Sequence, residues 1–153
     1  SRTEPVRENI QYGKLEASDA EITEALQRIG ASDLIKRLEE PVGEEGTNLS
    51  LGERQLLALA RVILKDPRIL IMDEATSSVD TLTEARIQRG IQELIQKRTS
   101  IIIAHRLSTI KNCDRILVIE AGEIQEDGDH ASLIKQKGKY YQLYTRQHRE
   151  SVV

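Results

Sequence analysis

Between Ser18 and Gly30 the chain reads SDAEITEALQRIG. Its apolar positions fall at helical spacing, a serine can cap the start, acids occupy the first turn and a glycine closes it, which predicts a short amphipathic helix. ASDLIKRL, residues 31–38, predicts a second short helix. After the turn-rich EEPVGEEGTN comes LSLGERQLLALARVILK, residues 49–65, apolar on most faces and so predicted to be a buried helix. RILIMD, SIIIAH and RILVIE are short aliphatic runs of strand length, and a long helical pattern from Asp80 to Lys97 separates the first two. Runs of this kind belong to strands buried on both faces of a parallel α/β sheet. GEIQEDG predicts a further strand, paired with RILVIE through the Ala121-Gly122 turn. DHASLIKQKGKYYQLYTRQ predicts two short helices broken at Gly138. The chain is thus helical first and α/β afterwards, with no internal repeat.

In open α/β sheets ligands bind beyond the carboxyl ends of the strands, where this pattern puts Asp73, Glu74 and His105. Two adjacent acids there suit a divalent cation and a water: one carboxylate holds the metal while its neighbour accepts a proton from the nucleophile. Taken alone, the pair reads equally as a cap for the following segment, facing solvent. Ser50 followed by Glu53 forms a capping box, yet the unpaired N–H groups of a helix start can also receive a phosphate. His105 by itself is more often a structural histidine at a strand end. His130 follows Asp129, a helix cap, and is given no catalytic role.

Composition removes several classes of function. A chain of 153 residues with 39% hydrophobic content can bury a core of ordinary size, but with no Trp or Phe its packing must be almost wholly aliphatic. The net charge is −3 and the basic residues are scattered, apart from a short tail near Arg146 and Arg149, so no nucleic acid is expected as a partner. Cys113 is the only cysteine, which excludes an intrachain disulfide and a thiolate metal site and fits a reducing cytosol. No apolar run reaches about eighteen residues and the start lacks a secretory pattern, so a membrane link is expected through a partner.

LSLGE leading into a helix, then ILIMDEATSSVD, then a histidine after SIIIA, in this order and spacing, resembles the ATP-binding cassette of exporter-type ABC transporters. The resemblance runs from VRENIQYG to GDHASLIKQKGKYYQLY. It implies an α/β fold with the partial parallel sheet of a P-loop NTPase (RecA-like) and an α-helical subdomain at the N-terminal end. It further implies ATP and Mg2+ as ligands. Asp73 would then be the Walker B residue on the metal, Glu74 the base for the hydrolytic water, and His105 the switch histidine on the γ-phosphate. Ser50, Leu51, Gly52 and Glu53 match the signature segment that closes over ATP held by a second nucleotide-binding domain. Ser78 and Asp80 match the D-loop at that dimer interface. PVGEEG resembles the loop that meets the transmembrane domain, which would place the chain at the cytoplasmic face of the membrane; by composition alone it is a glycine-rich turn.

Two departures stand out. Leu51 replaces the first of two glycines, and Glu53 replaces a glutamine, adding negative charge beside the phosphate. A phosphate cradle of the form G-x-x-x-x-G-K-[ST] is absent, since Gly13-Lys14 is followed by Leu15 and Gly138-Lys139 by Tyr140. The chain is therefore expected to be the C-terminal part of a cassette: residues 1–48 from the helical subdomain, 49–130 the signature helix and ATPase core, 131–153 the C-terminal helices. Its partners would include the missing N-terminal half, and RILIMD or SIIIAH should show aliphatic surface to water. The alternatives are a catalytically inactive module docking on a transporter and an ABC-type ATPase of DNA repair; VRENIQYG and the lack of a coiled-coil insertion disfavour the latter.

Overall fold

The computed structural model describes residues 4–43, 48–74 and 79–150, in two compact units. The first holds the described residues up to 72 together with 79–101, and the second holds Asp73, Glu74 and the described residues from 102 onward.

The first unit is built on a buried helix. Helices α1 (Val6–Gln11) and α2 (Asp19–Arg28) and a 3-10 turn at Ser32–Arg37 pack with α3 (Leu51–Lys65) and α4 (Thr81–Ile95). Val6, Ile10, Ile22, Leu26, Leu34, Leu56 and Leu94 are all fully buried in this cluster. Ser18 caps α2 through a reciprocal box with Glu21, and Gly30 takes a left-handed φ of 69° just beyond its end. ASDLIKRL forms a 3-10 helix rather than the expected α-helix, because six residues with only Leu34 buried support no longer ladder. α1 carries no predicted element, being short and opened by Pro5 without a side-chain cap. A Cβ on Gly13 would run into the Arg61 carbonyl of α3, and the Arg61 guanidinium bonds Asn9 in return.

Strands β1 (Ile69–Asp73) and β2 (Thr99–Ile103) pair with each other. They run parallel: the Thr99 N–H reaches the Arg68 carbonyl at 3.2 Å at the start, and the Glu74 N–H reaches the Ile103 carbonyl at 2.7 Å at the end. Both strands have the composition of strands buried on both faces, yet they show the aliphatic surface to water expected of RILIMD or SIIIAH in this chain. In β1 Leu70 faces the core, whereas Ile69 and Ile71 are 63% and 70% exposed, and Ile101 of β2 is 55% exposed. The helices of the first unit cover one face only, so the period-2 alternation appears in burial although both faces are aliphatic.

In the second unit β3 (Ile116–Glu120) and β4 (Glu123–Gly128) form an antiparallel hairpin rather than extending a parallel sheet. Ala121 and Gly122 have φ values of 51° and 79°, the two left-handed residues that a tight two-residue turn requires. The register shifts between Val118 and Ile119, leaving Gln125 as a bulge. A short helix α5 (Leu107–Ile110) precedes the hairpin; α6 (His130–Gln136) and α7 (Lys139–Glu150) follow it. Leu107, Ile116, Leu133 and Tyr140 make a separate small core. His130 packs edge-on to Tyr140 and Tyr144 and shares a 2.8 Å hydrogen bond with the Tyr140 hydroxyl, a packing role. Among the described residues no helix is long and apolar enough to cross a membrane.

Among the described residues two helices have an aspartate as N-cap. The Thr83 N–H holds the Asp80 carboxyl below its ordinary range at the start of α4, and the Ser132 N–H does the same for Asp129 at α6. Since the folded pKa lies below the unfolded one, each cap contributes fully above about pH 4 and is lost as the pH falls through the folded value. The helical circular dichroism signal should therefore decline on acidification below about pH 4. Asp129→Asn, whose amide oxygen accepts the same bond without titrating, should lessen that decline; superimposable acid profiles would show that the cap does not contribute.

Candidate functional site

The predicted site residues fall into two groups, one in each unit. In the first unit Ser50 caps α3: its hydroxyl accepts the Glu53 N–H at 3.1 Å, and the Glu53 carboxylate accepts the Ser50 N–H at 2.8 Å. The other Glu53 oxygen accepts from the Arg37 guanidinium at 2.7 Å. The negative charge of Glu53 is thus paired with Arg37 of the 3-10 turn, a guanidinium that also binds Glu40 at 2.8 Å. No local pattern announces this pair, whose members lie 16 residues apart.

Leu51 is exposed, while Gly52 is buried against the start of α4. A Cβ at Gly52 would collide with Cγ2 of Thr83 and come within 3.1 Å of Val79 Cγ1. Thr83 is also the residue whose N–H donates to Asp80 at 2.9 Å. Gly52 and Asp80 therefore meet at one threonine, which sequence reading had not singled out. Ser78 and, in PVGEEG, Glu44, Glu45 and Gly46 lie outside the described residues.

In the second unit Asp73 is exposed at the end of β1 and Glu74 is half-buried beside it. The Glu74 backbone is tied to Ile103, and its carboxylate oxygens lie 3.2 and 3.5 Å from the Thr109 hydroxyl. Thr109 is fully buried, so its hydroxyl is a fixed donor that orients one face of the Glu74 carboxylate. His105 is exposed, and its carbonyl accepts from Gln147 at 2.7 Å. Thr109 and Gln147 are the residues missed here. α5, with four residues, is too short to show a period, and Gln147 sits 42 residues from its partner.

One exposed carboxylate with a half-buried, oriented neighbour at the end of a parallel strand fits a nucleotide-hydrolysing α/β protein. Among the described residues no three His, Cys, Asp or Glu side chains form a metal cage, but Mg2+ ordinarily takes one or two carboxylates plus phosphate and water. Asp73 meets that requirement.

Comparison with known proteins agrees with the geometry. The family described as ABC transporter matches residues 1–77. The chain is 48% identical over 152 residues to the ATP-dependent lipid A-core flippase of Syntrophus aciditrophicus (strain SB), covering 97% of this chain and 25% of that protein. It is 48% identical over 142 residues to the fatty acid ABC transporter ATP-binding/permease protein of Mycobacterium tuberculosis (strain CDC 1551 / Oshkosh), covering 90% of this chain and 22% of that one. A bacterial Atm1-family ABC exporter with ATP bound has the same fold, with a TM-score of 0.81 and 40% identity, covering 95% of this chain and 26% of that one. The chain belongs to the ABC transporter family and has the fold of an exporter's nucleotide-binding domain. It spans about a quarter of the length of these relatives.

The Gly52 contact yields a test of the first group. Gly52→Ala should destabilise a cassette containing this chain by about 1–3 kcal/mol, the usual cost of overpacking. Thr83→Ser removes the colliding methyl, so the double variant should recover most of the loss. Equal unfolding midpoints for Gly52→Ala and the parent would show that α3 and α4 are not in close contact there.

Proposed function

We propose that this chain is the part of an exporter's nucleotide-binding domain that carries the hydrolytic base and the signature segment, and that the complete domain hydrolyses ATP to drive export. The observation that carries this reading is the Glu74 carboxylate, oriented by buried Thr109. Phosphoryl transfer asks the protein for positioning and charge neutralisation rather than covalent chemistry. In this reading Glu74 orients the hydrolytic water and takes its proton, and His105, exposed, contacts the γ-phosphate. Asp73 would hold Mg2+, which when bound neutralises charge on the phosphates. Ser50, Leu51, Gly52 and Glu53 present the start of α3 to ATP held by a second nucleotide-binding domain. Arg37, shared with Glu40, partly offsets the Glu53 charge that would oppose that phosphate. Ser78 and Asp80 belong to the D-loop at the same dimer interface.

The partners in this reading are a transmembrane domain, the second nucleotide-binding domain and the complementary part of the cassette bearing the phosphate cradle, all at the cytoplasmic face of a membrane. Exposed Ile69, Ile71 and Ile101 support a complementary part that covers this face. Residues 1–48 are read as helical subdomain, 49–130 as signature helix and core, and 131–153 as C-terminal helices. Lacking a cradle of the G-x-x-x-x-G-K-[ST] form, the chain alone should show no ATPase activity above background. That lack also favours the alternative, an inactive module that docks on a transporter.

Glu74→Gln decides between them. In a complete cassette it should cut ATP turnover about 10²–10⁴-fold while ATP binding persists, because the amide cannot take a proton. Turnover within twofold of the parent would remove Glu74 from the mechanism and leave the docking module as the better reading.

A further inference from the structure

We infer that Gln147 of α7 is a positioning residue for His105, so that the C-terminal helix supports the ATPase site. This rests on the reading of His105 as the γ-phosphate contact. The Gln147 side chain holds the backbone on both sides of Arg106. Its Nε2 donates to the His105 carbonyl at 2.7 Å, and its Oε1 accepts the Leu107 N–H at 3.1 Å. Arg106 is extended, with φ −103° and ψ 117°, which turns those two backbone groups to the same side. Only a primary amide of this reach carries a donor and an acceptor side by side to match them. α5 has no side-chain cap from Arg106, so Gln147 supplies its missing acceptor from another element.

The bracket has a firm base. Tyr140, Tyr144 and Gln147 share one face of α7 by their spacing. Tyr140 is buried to 1% exposure; its N–H donates to Glu126 of β4 at 3.0 Å and its hydroxyl meets His130 of α6. α7 is thus anchored at its start on the hairpin and α6, and about 10 Å further along, at seven residues of helical rise, it grips the His105 segment. The grip leaves the imidazole exposed and restrains only its backbone. The same short helix that Gln147 caps carries Thr109, two residues beyond Leu107, with its hydroxyl on Glu74. One side chain therefore steadies both the phosphate contact and the support of the base.

The test uses a complete cassette containing this chain and compares Gln147→Met, which removes both bonds, with Gln147→Glu, which keeps an acceptor but sets a carboxylate against the His105 carbonyl. His105→Ala is the control. Both Gln147 variants should lower kcat about 10-fold or more, since small misplacements at a reacting centre have effects of that order, with KM for ATP within twofold of the parent. Amide hydrogen exchange across residues 104–110 should quicken in both, and the loss of kcat should persist per folded molecule at temperatures well below the thermal midpoint of each variant. A Gln147→Met enzyme with parental kcat, beside an inactive His105→Ala, would overturn the inference alone. Parental kcat in His105→Ala would overturn the reading of His105 and the inference with it. A fall in the thermal midpoint with kcat per folded molecule unchanged would reduce Gln147 to a structural contact and likewise overturn it.

Discussion

Close backbone approach to the buried helix α3 is the constraint on which the first unit depends. Glycines permit it from two sides: Gly13 lies against the Arg61 carbonyl, and a Cβ on Gly90 of α4 would come within 2.9 Å of Leu59 Cδ1. With no Trp or Phe available, the core gains density by bringing helices close rather than by filling gaps with rings. The same approach at Gly52 sets the start of α3 beside Asp80 and Thr83. Packing and site geometry are therefore one property at that helix end.

The second unit is organised by polar bonds at element ends. Its apolar cluster is small, with Leu107, Ile116, Leu133 and Tyr140 at its centre. Side chains do what a larger core would otherwise do: Glu126 receives the first turn of α7, Asp129 and Ser132 close α6, and Thr109 meets Glu74. Such bonds are directional, and in a half-buried setting an unmade one costs more than a made one contributes. A site resting on them is held in orientation by few residues, which makes each of them individually consequential.

The strands show what residue type does and does not record. RILIMD and SIIIAH have the composition of strands covered on both sides, yet Ile69, Ile71 and Ile101 face water. Hydrophobicity records what a segment can bury, whereas burial depends on what else is packed against it. The aliphatic face is legible in the sequence, and its exposure follows once the missing phosphate cradle is noticed.

Local physics was readable from the chain alone: the extents of α2, α3, α4 and the strands, the caps at Ser18, Ser50 and Asp129, and the hairpin at Ala121-Gly122. Each follows from residues within a few positions of one another, through helical period, strand alternation or a cap. The order of LSLGE, ILIMDEATSSVD and His105 likewise pointed to the family. Tertiary structure alone decided that Arg37 pairs with Glu53, that Thr109 orients Glu74 and that Gln147 brackets Arg106. Those partners are 16 to 42 residues apart. Nothing local selects them, because a long-range hydrogen bond exists only once packing has brought two element ends within about 3 Å.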